Sequence, residues 1–187
     1  MTVSPALDRR FREAALAEGV LDLAYDIADT PTGPLFVGVT DRGLARISFD
    51  PDPEALEDQL ARTFGTRVLR VPRAADDVRR QLDEYFEGRR HEFELDVDLR
   101  LVSDFSRAVL GELARVPYGE LTTYGALAKQ AGRPRAARAV GTIMNRNPIP
   151  IVLPCHRVVG ANGSLVGYGG GLERKQQLLA LEGSLAG

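Results

Sequence analysis

One cysteine and one of only two histidines stand side by side in this chain, Cys155 and His156, within the stretch Asn147-Pro148-Ile149-Pro150-Ile151-Val152-Leu153-Pro154-Cys155-His156-Arg157-Val158-Val159-Gly160. A free thiol has a pKa of about 8.5 and attacks as the thiolate, so a nucleophilic cysteine needs a base or a positive neighbour. His156 is the nearest base in sequence. Adjacent side chains ordinarily point apart, so a bridging water or an irregular turn is needed to couple the two. A histidine used as a base must itself be oriented by a third group. The nearest downstream carboxylate by pattern is Glu182, at the end of a helix expected over 172–182 among Leu178, Leu179 and Leu181. From the residues alone, an exposed carboxylate is the favoured reading of Glu182.

A lone cysteine is by default a small buried hydrophobe. It excludes an internal disulfide, a CxxC redox pair and a multi-cysteine zinc site, and two histidines exclude a histidine-rich metal site. What sets Cys155 apart is its surroundings. The proline-flanked apolar run reads as a buried strand-like segment that delivers it into a turn. Glycines at 160, 163, 167, 169, 170 and 171 follow, which lets backbone come close to a ligand, and Tyr168 is the one aromatic among them.

The elements that must position these groups are legible in the periodicities. Ser4-Pro5 opens a short amphipathic helix or a frayed extension, with Leu7, Phe11 and Ala14/Ala15 at helical spacing. Strands are expected over 21–28, 35–40 and 44–49, the last two as a hairpin across Asp41-Arg42-Gly43. Helices are expected over 53–63 and 74–86, the latter with Val78, Leu82 and Phe86 on one face. His91 falls in a charged stretch and reads as a solvated surface residue. Ser103 caps a helix carrying Phe105, Val109, Leu110 and Leu113, and Thr122/Thr123 cap a second over 124–130. After Arg133-Pro134, a third helix is expected over 135–144. The last two helices form a helix-turn-helix outline, with Arg135 and Arg138 at i, i+3 on one face of the second. A bundle helix with solvated arginines fits that pattern equally well.

Composition sets the frame. Hydrophobic residues at 44% and charged residues at 27% of 187 suit a folded domain or two small ones, not a disordered chain. No apolar run approaches the ~18 residues of a membrane span. The first twenty residues lack an apolar signal core, which predicts a cytoplasmic protein. Residues 101–187 hold ten basic and five acidic side chains, a net +5, leaving −7 for the rest within a total of −2. A basic half joined to an acidic one suits local contact with nucleic acid without a global basic field.

Pro154-Cys155-His156-Arg157-Val158 resembles the active-site motif of the O6-alkylguanine-DNA alkyltransferases, also called methylated-DNA–protein-cysteine methyltransferases. Tyr118-Gly119-Glu120, Thr123-Tyr124-Gly125, Arg138-Ala139-Val140-Gly141, Asn147-Pro148, Gly167-Tyr168 with Gly170-Gly171, and Leu178-Leu179-Ala180-Leu181-Glu182-Gly183 follow that family's order and approximate spacing. The specific resemblance spans about 105–183, and the first half matches in length and in its mixed strand–helix pattern. It implies a two-domain α+β or α/β fold. An N-terminal mixed sheet with helices, RNase H-like by resemblance, would occupy 21–100 after a helical extension over 1–20. A mostly helical C-terminal domain with the helix-turn-helix would occupy 101–187.

The same resemblance implies direct, single-turnover repair, in which a flipped-out O6-alkylguanine passes its alkyl group to Cys155. O4-alkylthymine stays open as a second substrate. His156 would act through a water on Cys155, with Glu182 orienting it; Tyr124 would donate to the leaving base, and Asn147 would brace the active-site turn. Arg138 would fill the gap in the stack, with Arg135, Thr123 and Ala137 also on the DNA. Val158 and Gly169 would offer backbone groups to the base, and Met144 and Tyr168 would line the pocket. The resemblance implies no cofactor and no metal, double-stranded DNA containing the lesion as partner, no membrane association, and a monomer when free. The chain departs from some relatives in having no Trp, no N-terminal cysteine that could hold zinc, and no fused further domains at this length. Three other readings use parts of the same pattern. A silent lesion recogniser would lack the cysteine, a cysteine hydrolase would need another histidine and an oxyanion hole, and a transcription regulator would read sequence.

Overall fold

Local capping decides where most helices of the chain begin. The computed structural model describes residues 4–185. Helix α1 (Pro5–Ala17) starts where Ser4 accepts a hydrogen bond from the Leu7 N–H, and α2 (Pro53–Phe64) where Asp52 accepts from Ala55. The expected apolar face of α1 is not buried: Leu7 and Phe11 are 59% and 63% exposed, and Ala15 is the buried position.

Strands β1 (Leu23–Ala28), β2 (Leu35–Thr40) and β3 (Gly43–Phe49) form an antiparallel meander, with β2 and β3 as the expected hairpin. A fourth strand, β4 (Val68–Arg70), pairs parallel with β1, so the sheet is mixed and ordered β3-β2-β1-β4. Sequence periodicity misses β4 because three residues, none of them buried, are too few for an alternation to show. Gly43 has φ +119°, and a Cβ there would stand 2.3 Å from the Asp96 carbonyl oxygen, so the hairpin needs a glycine. Leu23, Tyr25, Phe36 and Ala45 of the sheet pack with Leu56 and Leu60 of α2, and the Tyr25 and Phe36 rings stack at 4.8 Å. Helix α3 (Asp76–Phe86) follows a 3-10 turn, Pro72–Ala75, which takes up the first two residues of the helix expected from 74.

The chain divides into two compact units, and the division falls inside α3. Residues up to Glu84 together with Glu94–Asp98 form the first; Tyr85–Phe93 and everything from Leu99 form the second. Tyr85–Phe93 thus joins the C-terminal residues, although sequence reading assigns it to 21–100.

In the second unit, α4 (Asp104–Ala114) begins where Ser103 accepts from Ser106 and buries Val109, Leu110 and Leu113. β5 (Thr122–Thr123) leads directly into α5 (Tyr124–Gln130), capped by Thr123 through Ala126 N–H, and α6 (Ala137–Asn145) follows. β6 (Val158–Val159) pairs parallel with β5, and α7 (Leu172–Leu181) closes the described chain. Helix α6 starts two residues later than the spacing predicts. Pro134 sits in a tight turn closed by the Ala136 N–H on the Arg133 carbonyl, so Arg135 precedes the helix and does not share a helical face with Arg138. Among the described residues no helix is long and apolar enough to cross a membrane.

Candidate active site

The run 147–154 is a turn and not a strand. Pro148 and Pro150 have no N–H to give a ladder, and Ile151 takes φ +75°, a left-handed conformation rarely open to a β-branched residue. Burial of Ile149, Ile151 and Leu153 holds the strained turn in place, and Asn147 supplies the bonds a ladder would have made. Its Oδ1 accepts from Ile149 N–H at 3.0 Å, and its Nδ2 donates to the Leu153 carbonyl at 2.7 Å. The same Nδ2 lies 3.1 Å from Cys155 Sγ. One amide therefore shapes the turn and touches the nucleophile.

Cys155 opens a single 3-10 turn, Cys155–Arg157, and is 5% exposed. Burial pushes its thiol up to about 11, against the pull of the Asn147 amide, its own backbone N–H, the Lys175 charge and the Tyr168 hydroxyl. A thiol so placed reacts well only if something takes its proton. His156, next in the turn, is fully buried, and its Nε2 is 2.8 Å from Glu182 Oε1. That contact fixes the tautomer: Nε2 carries the proton toward the carboxylate and Nδ1 keeps its lone pair. Nδ1 is buried and has no protein hydrogen-bond partner among the described residues. Burial lowers the imidazole pKa below its ordinary 6.5 in spite of the Glu182 hydrogen bond and charge, so the ring is neutral at pH 7.

Glu182 is the C-cap residue of α7 and only 5% exposed, which corrects the reading of an exposed carboxylate. Arg157 grips it as a fork, Nε on Oε2 and Nη2 on Oε1, each at 2.9 Å, while Nη1 donates to the Val116 carbonyl at 2.5 Å. The Tyr85 hydroxyl donates to Oε1 at 2.7 Å, and the Gly119 N–H approaches Oε2 at 3.4 Å. Burial pulls the Glu182 pKa upward, but the donors and charges of His156 and Arg157 outweigh it and hold the group at about 2. Sequence reasoning missed both Tyr85 and the role of Arg157. It also missed Lys175, whose buried Nζ donates to the Val158 and Val166 carbonyls at 2.5 and 3.0 Å. Its i+3 and i+4 partners, Leu178 and Leu179, are fully buried, and that spacing was the available signal.

The remaining expected residues fall in two groups. Burial and the nearby Cys155 raise the pKa of Tyr168 and of the half-buried Tyr124, so both rings belong to the thiol's surroundings. The β5–β6 ladder accounts for Tyr124: Thr123 pairs with Val159 just before α5 starts, and Val158 follows the cysteine turn. Val158 and Met144 are buried. Gly169 is exposed, and a Cβ there would press on the Asn145 carbonyl at 3.2 Å. Arg138 and Arg135 are exposed, with Thr123 and Ala137 half-buried at the starts of α5 and α6. His91 is exposed as expected, yet its ring stacks on Tyr118 at 4.1 Å. Among the described residues no three His, Cys, Asp or Glu side chains gather to hold a metal ion.

The second unit thus combines the two short helices α5 and α6 with a buried thiol next in sequence to a carboxylate-bound histidine, and similarity to known proteins gives the class of protein that has this arrangement. Residues 104–184 match the DNA-binding domain of 6-O-methylguanine DNA methyltransferase, and residues 23–99 match its ribonuclease-like domain. A methylated-DNA–protein-cysteine methyltransferase of Mycolicibacterium paratuberculosis is 45% identical over 160 residues, covering 86% of this chain and 92% of the relative. One from Methanosarcina acetivorans is 40% identical over 163 residues, covering 86% and 98%. The crystal structure of Mycobacterium tuberculosis OGT in complex with DNA superposes with a TM-score of 0.75 at 41% identity, covering 86% of this chain and 93% of that one. The chain belongs to the methylated-DNA–protein-cysteine methyltransferase family.

Proposed function

We propose that this protein repairs O6-alkylguanine in double-stranded DNA by moving the alkyl group irreversibly to Cys155. The observation that carries the assignment is the placement of its only cysteine, held by Asn147 beside the neutral, carboxylate-oriented His156. The alkylated oxygen lies inside a duplex, so the nucleotide must be flipped out at a cost of a few kcal/mol. Arg138, exposed on α6, fills the gap that the base leaves. Arg135, Thr123 and Ala137 meet the backbone near it. The flipped base enters between Tyr124 and the loop of Tyr168 and Gly169, with Val158 and Gly169 offering backbone groups and Met144 closing the pocket.

In the transfer step the sulfur attacks the alkyl carbon. The C–S bond forms as the C–O6 bond breaks, and the electron pair leaves with guanine. The thiol proton passes through a water to His156 Nδ1, and the resulting imidazolium is stabilised by Glu182. Tyr124 donates to the guanine as negative charge gathers on it, which lowers the barrier. The thioether product has no good leaving group, and with no second thiol in the chain each molecule acts once. A reduced thiol at Cys155 also suits a cytoplasmic setting.

Intact-mass measurement after incubation with a methylguanine duplex tests the reading. One methyl group on Cys155 per molecule is the expected result, and no mass gain would leave a silent recogniser in its place. A benzyl substrate run in parallel reads the size of the pocket.

A further inference from the structure

We propose that Tyr85, next to last in α3, is a positioning residue for alkyl transfer, its hydroxyl fixing the Glu182 oxygen that orients His156. The inference rests on the alkyl-transfer reading of Cys155 and adds a residue from outside the region that carries the family motifs.

Three donors converge on Glu182 Oε1: the Tyr85 hydroxyl at 2.7 Å, His156 Nε2 at 2.8 Å and Arg157 Nη2 at 2.9 Å. A carboxylate oxygen offers about two lone-pair directions, so the three compete for one atom. The Arg157 fork sets the plane of the carboxylate and brings a full positive charge. Tyr85 is the only neutral donor from a side chain that cannot take that charge, and it acts from a different element. Its ring is fully buried, edge-on to Phe86 at 5.3 Å and to Tyr118 at 6.0 Å, and 5.4 Å from Phe93. A hydroxyl at the end of a ring so confined has little freedom to turn elsewhere. Burial and the Glu182 charge raise its pKa, so it stays protonated and keeps donating.

The consequence follows from sharing. The Tyr85 donor satisfies part of the charge on Oε1, which weakens the pull of Glu182 on a proton at His156. The other charged groups around the imidazole are Arg157 on its own turn and Lys175 on α7, and both oppose protonation. Tyr85 thereby helps to keep His156 neutral before reaction, free to accept a proton at Nδ1, while holding the carboxylate in line with Nε2. Removing the hydroxyl makes Oε1 a stronger acceptor, so the His156 pKa rises.

Tyr85→Phe keeps the ring and removes the donor. Only His91 and His156 give imidazole signals, so an NMR titration follows each. The His156 pKa is expected to rise by about half to one unit, with His91 moving much less. The acid limb of single-turnover transfer from a methylguanine duplex should move up by the same amount, with a fall of about three- to tenfold in the plateau rate. If Tyr85→Phe does not fold, a fluorotyrosine at position 85, a stronger donor, should move His156 the opposite way. An unmoved His156 titration in a folded variant, whatever the melting temperature, overturns the proposal and leaves Tyr85 as packing. Absence of transfer by the wild-type protein overturns the alkyl-transfer reading instead, and the titration still decides the role of Tyr85.

Discussion

Arg157 and Glu182 form a two-bond fork in the interior of the second unit, with Nε and Nη2 each 2.9 Å from a different carboxylate oxygen. Both residues are about 5% exposed. Two charges taken out of water contribute little net stability while paired, yet breaking such a pair is costly because the survivor stays buried. Arg157→Met is therefore expected to lower stability by about 3–5 kcal/mol, measured as the shift in urea unfolding. Arg157→Lys should recover part of that through its charge while losing the fork. A Lys variant as stable and as active as wild type would show that the planar geometry is unimportant.

The same cluster sets the response to acid. Glu182 sits at about 2 against an ordinary 4.5, so the unfolded chain binds its proton first as pH falls. Its contribution is complete above pH 4.5 and is lost as pH falls from 4.5 toward 2, with a slope of at most about 1.4 kcal/mol per pH unit. Glu182→Gln should flatten the stability curve in that window, seen as a smaller difference between urea midpoints at pH 5 and pH 3. Catalysis has its own limit. His156 titrates below 6.5, and the proton-accepting form is the neutral one, so the transfer rate should hold through pH 7 and fall only below 6.5. A rate already halved at pH 7 would contradict this placement.

How far this could be read beforehand depended on whether the physics was local. The caps at Ser4, Ser103 and Thr123 were legible because a capping side chain bonds within three residues of itself. The adjacency of Cys155 and His156 was plain, and the prediction that they would not bond directly followed from neighbour geometry. Periodicity favoured an exposed Glu182, wrongly, since what buries it comes from Arg157 and from Tyr85, 97 residues away. Tyr85 itself read as part of an ordinary amphipathic helix. The turn at 147–154 looked like a strand because its apolar content is strand-like; only the bonds of Asn147 and the φ of Ile151 show otherwise.

Asn147 offers a test of how turn and nucleophile are coupled. Asn147→Ala leaves the Ile149 N–H without its partner, at a cost of about 1–3 kcal/mol, and takes one of two donors from the Leu153 carbonyl, which keeps the Cys155 N–H at 2.8 Å. It also removes one of the donors that draw the Cys155 pKa down, so the thiol should titrate higher. Asn147→Asp should be worse for reactivity, because a carboxylate beside the sulfur opposes the thiolate. The pH dependence of thiol alkylation reads both, and the midpoint should rise in the order wild type, Ala, Asp.

Cys155→Ser separates recognition from chemistry. Serine is close to cysteine in size but far harder to ionise, so the Asn147 turn should survive and duplex binding with it. Transfer should vanish. Intact mass after incubation with a methylguanine duplex checks this, and any gain in mass would mean a second acceptor.

Arg138 carries the last prediction, because its role depends on the substrate being a duplex. It is exposed on α6 and forms no ion pair among the described residues, so its loss should leave the fold unharmed. Its proposed work is to occupy the gap left by the flipped base, which repays part of the unstacking cost of a few kcal/mol. Free alkylguanine incurs no such cost. Arg138→Ala should therefore slow transfer from duplex by about ten- to a hundredfold, while transfer from the free base changes by less than about twofold. Raising salt weakens duplex binding for both proteins, and removing one cationic side chain should make the slope for the variant shallower by at most about one counterion. Equal slowing on duplex and free base would place Arg138 at the chemistry and not at the stack, and the flipping role would then have to pass to another residue of the helix-turn-helix.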